Sequence, residues 1–380
     1  MQKTRFHFLL AALCLCFTST QASAKEGVTA DAVTFTQTAD MSGSRSALAR
    51  ELNAGTSAYF NFINEQGGIH GRKLYLKTSD DGYVVKRSQE LVAEHIRQDD
   101  SFAFVSLIGT ANAEAVLPLI TAAKIPLIAP LTGASQLREP FNRYIFHIRG
   151  SYAQEVEQMV DHAVAVGMSR VAVFYDDDAF GQDVAQAVEA ALKKRNLKPV
   201  AVGKIERGSV DVSAALKTIE AANPQVVICG SFGKSLVEFV KGMKTTAVKP
   251  QFYTLSFFTA GSSIKQLGAD ARGIVVTQVV PSPKSVSTSL VREFLTLTEK
   301  YSPKEPATYI SLEGFLTAKV IVEGLRRAGP ALTREKFMTA LEGFQNVDLG
   351  GLYLSYSPRD HVGLKKIEIT VVDAGGKVLR

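Results

Sequence analysis

The chain has 380 residues, 46% of them hydrophobic and 21% charged, more than one hydrophobic core usually serves, so two lobes are expected. Its 43 lysines and arginines face 37 aspartates and glutamates. Lys3 and Arg5 belong to an N-terminal leader, and without them the count is 41 against 37, a net +4 too mild and too dispersed to argue for nucleic acid.

Residues 1–24 read as a secretory signal peptide: Lys3 and Arg5 form its basic segment, residues 8–17 its apolar core, and Ala22-Ser23-Ala24 a small-residue cleavage site before Lys25. The apolar core is too short to span a bilayer, and no later stretch approaches the roughly 20 apolar residues a membrane helix requires. This reading makes the rest of the chain an exported protein. It is preferred to a lipoprotein anchored through Cys14 or Cys16, because a leucine precedes each where a small residue is expected. Of the three cysteines only Cys229 then survives, as a buried small hydrophobe in an apolar strand, and no intramolecular disulfide can form.

Beyond the leader, strands and helices alternate almost throughout, the pattern of parallel sheets covered on both faces. A first series places strands at 33–39, 73–78, 102–108 and 125–129, with helices near 45–65, 84–97 and 110–123. The glycines of Gly67-Gly68-Ile69-His70-Gly71-Arg72 close the first long helix and launch the next strand. Asp80-Asp81-Gly82 reads as a turn and helix cap rather than a metal site. A second series places helices near 151–166, 181–194, 212–221 and 234–245, with strands at 170–175, 199–205, 225–229, 251–255 and 273–280. Helices over 287–301, 308–327 and 333–341 follow, then strands at 351–356 and 366–372.

Within this alternation, residues 102–133 are the most informative stretch. The apolar strand 102–108 empties into Gly109-Thr110 at a helix start, and the strand 125–129 stops at Pro130 before Leu131-Thr132-Gly133-Ala134. Ligands of open α/β sheets sit beyond the carboxyl ends of parallel strands, where these two small polar loops lie side by side. Backbone N–H groups and hydroxyls converge there on a small polar head group.

No catalytic or metal-binding set emerges. The five histidines beyond the leader, His70, His95, His147, His162 and His361, are scattered without metal-ligand spacing, and no Gly-x-Ser-x-Gly elbow occurs. Gly230-Ser231-Phe232-Gly233-Lys234-Ser235 mimics a phosphate loop, but Ile228 stands where its first glycine is required. Asp176-Asp177-Asp178 suits the start of a helix better than calcium, whose ligand spacing is missing. Phe180 and Phe232 each follow a strand, where an aromatic ring can face a ligand.

The residues Glu51-Leu52-Asn53-Ala54-Gly55, Ala58-Tyr59-Phe60 and Ile63-Asn64, the glycine-rich segment 67–72, and segments 126–134, 175–181 and 273–281 carry a resemblance over nearly all of the chain beyond the leader. It resembles the periplasmic solute-binding proteins of ABC importers, of the branched-chain amino-acid (Leu/Ile/Val-binding) type. That resemblance implies a type I periplasmic-binding fold: two Rossmann-like α/β lobes with parallel central sheets, residues 25–149 plus 281–364 and residues 150–280 plus 365–380, joined by three hinge crossings near Gly150, Val280 and Lys365. It implies a monomeric periplasmic receptor, without cofactor, metal or catalysis, that closes on an amino acid or small carboxylate and delivers it to an inner-membrane permease. The carboxylate would be held by Thr110, Thr132 and Gly133, Leu131 would offer a carbonyl to the ammonium, and Phe180 and Phe232 would cover the solute, with Phe257 and Tyr152 behind them. The acidic partner of the ammonium is replaced by Ser256. Either another acid substitutes, with Asp176 and Asp177 as candidates, or the ligand carries no ammonium. A sensor of the same fold, taking an aromatic or aliphatic carboxylate or amide, is the alternative, followed by an enzyme on this scaffold and by a scaffolding protein.

Overall fold

The computed structural model of the chain describes residues 26–43, 45–259 and 263–379, and the predicted leader lies outside them. In the first half, β1 (Ala32–Ala39), β2 (Lys73–Asp80), β3 (Ala103–Val105), β4 (Leu127–Ile128) and β5 (Ile145–Phe146) form an all-parallel sheet in the order β2-β1-β3-β4-β5. The helices α1 (Ser46–Glu65), α2 (Val85–Gln98) and α3 (Thr110–Ala122) connect its strands. β3 and β4 are shorter than their apolar runs because Ser106 (φ 54°) and Ala129 (φ 52°) turn the backbone out of the extended region and into the two loops.

The second half begins at α4 (Tyr152–Ala165), opened by a reciprocal cap between Ser151 and Gln154. It continues through β6 (Val171–Asp177), α5 (Ala179–Lys193), β7 (Val202–Glu206), α6 (Ser213–Ala221), β8 (Val226–Gly230), α7 (Lys234–Thr245), β9 (Gln251–Thr254), α8 (Ser263–Leu267) and β10 (Val275–Gln278). The chain then leaves this sheet for α9 (Ser289–Tyr301), α10 (Tyr309–Ala328) and α11 (Arg334–Glu342), followed by a short ribbon of β11 (Val347–Asp348) and β12 (Tyr353–Leu354). It returns as β13 (Glu368–Val372) and β14 (Val378–Leu379), giving the order β14-β13-β10-β9-β8-β6-β7. The strands from β6 to β10 are parallel, whereas β13 and β14 run antiparallel at the edge. The helices between β10 and β13 pack on the first sheet, and the chain comes back from there to enter this one antiparallel to β10.

The helices α9, α10 and α11 pack on the first sheet in one core with Phe35, Phe102, Phe294, Phe315 and Phe337. Each such ring contributes roughly 1.5–3 kcal/mol by leaving water. The second half has its own core, where Phe174 stacks on Phe239 at 3.8 Å and Cys229 is a fully buried free thiol. The strand ends of both sheets meet through a shared apolar cluster that includes Leu131, Tyr152, Phe180 and Phe257.

Candidate functional site

Both loops predicted from the sequence end against the same ring system. Gly109 (φ 98°) caps α3, and a Cβ there would stand 2.6 Å from the Tyr83 ring, so only glycine lets that ring lie on the backbone. Gly133 plays the same part for Tyr152, whose ring would be 2.6 Å from an added Cβ. The Gly133 carbonyl accepts the Tyr152 N–H at 2.9 Å. Thr110 and Thr132 place their hydroxyls 2.8 Å apart, and the Tyr152 hydroxyl donates to Thr132 Oγ1 at 3.1 Å while lying 3.5 Å from Thr110 Oγ1. All three side chains are buried. Burial pushes the Tyr152 hydroxyl above its ordinary value, so it stays a neutral donor at pH 7.

The facing wall is aromatic. Phe180 sits in the first turn of α5, whose N-cap Asp178 accepts the Gly181 N–H at 3.1 Å, as expected of an acid at a helix start. Phe232 follows β8 and Phe257 follows β9. Phe180 lies 5.2 Å from Tyr152, 5.6 Å from Phe232 and 6.0 Å from Phe257, all edge-on, and Tyr83 closes the ring system 6.3 Å from Phe232. Between the walls remains a cavity of about 10 Å³, roughly the space of one water. A larger hollow of about 540 Å³ opens by Arg138, His147 and His361, away from the converging hydroxyls.

Polar contacts join the two halves around this cavity. The Arg45 guanidinium lies over Tyr83 at 4.0 Å and over Phe232 at 4.6 Å, and 3.8 Å from the Asp176 carboxylate. Arg207 donates to the Tyr83 carbonyl and to Asn112 Oδ1, each at 3.0 Å. The Ser135 hydroxyl donates to Asp183. Ser231 and Ser235, in the segment that mimics a phosphate loop, turn their hydroxyls toward Asp176 at 2.7 and 3.5 Å, so that loop faces a carboxylate. Burial raises the Asp176 carboxyl to about 6. Asp177 pairs with Lys204 at 2.7 Å.

Deeper in, Ser256 belongs to a buried polar chain. Its N–H donates to Glu155 at 3.0 Å, and its hydroxyl accepts from Arg149 at 3.0 Å. Arg149 grips Glu313 with two hydrogen bonds of 2.9 and 3.1 Å, and Thr277 donates to Glu155 at 2.5 Å. Burial works against the Arg149 charge, yet the Glu313 and Glu155 carboxylates hold it above the ordinary arginine value. Arg138 donates to the carbonyls of Thr132, Gly133, Arg149 and Gly150 at 3.2–3.5 Å, tying the second loop to the chain leaving the first sheet. Burial, reinforced by Arg149, lowers its guanidinium to about 10.

Of the residues singled out in the sequence, Thr110, Leu131, Phe180 and Phe232 line the cavity, as do Phe257 and Tyr152. Thr132 and Gly133 stand directly behind, in contact with Tyr152. Ser256 does not line the cavity and is engaged by Glu155 and Arg149. Sequence reasoning missed Tyr83, Arg45, Arg207 and the Arg149–Glu313 pair. Tyr83 alone left a signal there, as an aromatic directly after the Asp80-Asp81-Gly82 turn that ends β2. Among the described residues no group of three His, Cys, Asp or Glu side chains is arranged to hold a metal, and no helix is long and apolar enough to cross a membrane.

The chain is similar to a Leu/Ile/Val-binding protein homolog 3 of Brucella melitensis biotype 1, 24% identical over 343 residues that span 89% of this chain and 90% of that one. A solved substrate-binding periplasmic protein from Ralstonia solanacearum is 31% identical, with a TM-score of 0.86 over 91% of this chain and 99% of the other. A structure of a possible leucine/isoleucine/valine-binding protein from Rhodopirellula baltica SH 1 is 27% identical, with a TM-score of 0.86 over 92% and 97% of the two chains. The family profile described as periplasmic binding protein matches residues 33–377. The chain therefore belongs to the periplasmic binding protein family and has its two-lobed α/β fold.

Proposed function

We propose that this chain is the substrate-binding component of an ABC importer, exported to the periplasm by residues 1–24 and working as a monomer. It captures an amino acid or related small carboxylate between two lobes, residues 25–149 plus 281–364 and residues 150–280 plus 365–380, and delivers it to an inner-membrane permease. The observation that carries this reading is the meeting of the Thr110, Thr132 and Tyr152 hydroxyls with a wall of Phe180, Phe232 and Phe257 at the sheet ends. The names borne by the Brucella and Rhodopirellula relatives support the solute class.

The polar end of the solute meets the Thr110 and Tyr152 hydroxyls and the N-terminus of α3, whose N–H groups favour an anion. Thr132 and Gly133 set the Tyr152 ring, the Leu131 carbonyl lies at the same end, and Ser256 anchors the facing wall from behind. Crossings near Gly150, Val280 and Lys365 act as the hinge, and solute binding shifts the balance between open and closed forms without chemical change. The test is calorimetric titration of the solute-stripped protein with amino acids and small carboxylates, with scattering measured in parallel. Binding of one class with a fall in radius of gyration, and recovery of the solute unaltered, is the expected result. Turnover of the solute, or no binding by any member of the panel, overturns the proposal.

A further inference from the structure

We infer that the solute is an apolar or aromatic monocarboxylate that carries no amine, a conclusion that rests on the binding role proposed above and narrows it. Among the described residues, the cavity wall contains hydroxyls, backbone and hydrocarbon, but no carboxylate. Most acids near it are engaged elsewhere; Glu114, one turn along α3 from Thr110, keeps a buried Oε1 without a hydrogen-bond partner among those residues but does not line the cavity. Asp176 is held by Ser231 at 2.7 Å and faces Arg45, and Asp178 caps α5 and lies 3.7 Å from Arg207. Asp183 accepts from Ser135. Glu155 accepts from Ser256 and Thr277 beside Arg149, and Asp81 accepts from Ser88 at 2.5 Å and from the Tyr83 N–H at 2.8 Å.

The charged groups that touch the aromatic walls are cations. Arg45 lies on Tyr83 and Phe232, Arg207 on Tyr83 at 4.7 Å, and Arg149 on Phe257 at 4.2 Å. An ammonium entering this space would meet guanidinium-backed rings, and the Leu131 carbonyl could solvate it without neutralising it. The carbonyls beside it, those of Thr132 and Gly133, are turned to Arg138 at 3.5 and 3.4 Å. A carboxylate meets the opposite conditions, with hydroxyl donors at the first residue of α3 and positive charge behind the walls. Burying an ion without its counter-charge loses far more than a neutral group does. Five aromatic rings line a cavity that holds only about one water in this form, so a hydrocarbon end enters once the walls part, and a branched aliphatic or phenyl tail matches their chemistry.

Matched pairs that differ only in the amine test this directly. Calorimetric titration of the stripped protein compares 4-methylpentanoate with leucine and 3-phenylpropanoate with phenylalanine, at one pH and salt concentration. The expected result is that the amine-free member of at least one pair binds about 100-fold or more tightly than its amino acid. Equal or tighter binding of the amino acid in both pairs overturns the inference and leaves the receptor role standing. Binding of none of the four, with another member of the wider panel bound, also overturns the inference, and only failure of the whole panel overturns the receptor role. Thr110→Val, which keeps the side-chain shape and removes the hydroxyl, should weaken the bound acid about tenfold. An unchanged affinity in Thr110→Val would place the acid elsewhere and overturn the assignment of its carboxylate to this loop.

Discussion

Two polar zones join the halves of the molecule, and they are built differently. The zone at the crossings is dry and tightly geared: Arg149 and Glu313, 1% and 4% exposed in their side chains, share two short hydrogen bonds and extend to Ser256, Glu155 and Thr277. The zone around the cavity is looser, with Arg45 and Asp176 3.8 Å apart and Arg207 donating to the Tyr83 carbonyl and Asn112 at 3.0 Å, both arginines partly exposed. Breaking the buried Arg149–Glu313 pair, which lies within the proposed first lobe and reaches the second through Ser256, would strand both ions, whereas the partly exposed cleft arginines can exchange their contacts for water when the halves part. The contrast assigns permanence to the crossings and reversibility to the cleft.

The largest effect expected is at the crossings. Glu313→Leu leaves the Arg149 charge buried and should cost about 3–5 kcal/mol of stability in urea denaturation. Adding Arg149→Met should recover part of that loss, since the uncompensated ion is gone. A single-variant cost below about 1 kcal/mol would erase the distinction between the zones.

Next comes Asp176, on the cavity side. Burial lifts its carboxyl to about 6, so the folded chain retains a proton that the unfolded chain releases between about pH 4 and pH 6. Stability therefore falls as pH rises through that window, and the cost persists above it. Asp176→Asn should flatten this slope by on the order of 2 kcal/mol between pH 4 and pH 7, read from thermal unfolding across pH. An unchanged slope would show that Asp176 does not titrate in this range. Smaller again is Thr132→Val, which removes the partner of the Tyr152 hydroxyl and should weaken solute binding about tenfold by calorimetry. Arg207→Ala should be the mildest, below about 1 kcal/mol in stability, with its signature a larger radius of gyration as open molecules accumulate. A loss as large as that of Glu313→Leu would make the cleft contacts as permanent as the crossings.

Much of the cleft was legible because its residues sit at strand ends. Gly109-Thr110 and Leu131-Thr132-Gly133 follow β3 and β4, and Phe232 follows β8, so a correct strand assignment alone places them. Phe180 was legible in the same way, two residues into the helix that Asp178 caps. Tyr83 also follows a strand, but its approach to Gly109 depends on the order β2-β1-β3, which no local pattern encodes. Arg149 and Glu313 are 164 residues apart, and Glu155 and Thr277 are 122 apart, so each pairing exists only after distant parts of the chain have packed together. Ser256 shows the limit most plainly. Read as the replacement for an ammonium partner, it proves to be the link between Arg149 and Glu155. The antiparallel arrival of β13 likewise follows from a return crossing, not from its own residues.

The lone thiol at Cys229 has a practical side. It is wholly enclosed in the core of the second half, and burial raises its proton affinity, which suppresses the nucleophilic thiolate. A cysteine introduced on the rim of the cleft would accordingly accept a maleimide dye with no native competitor among the described residues. Among the described residues, then, no background thiol has to be removed before the folded chain is converted into a single-colour optical reporter of its own opening and closing.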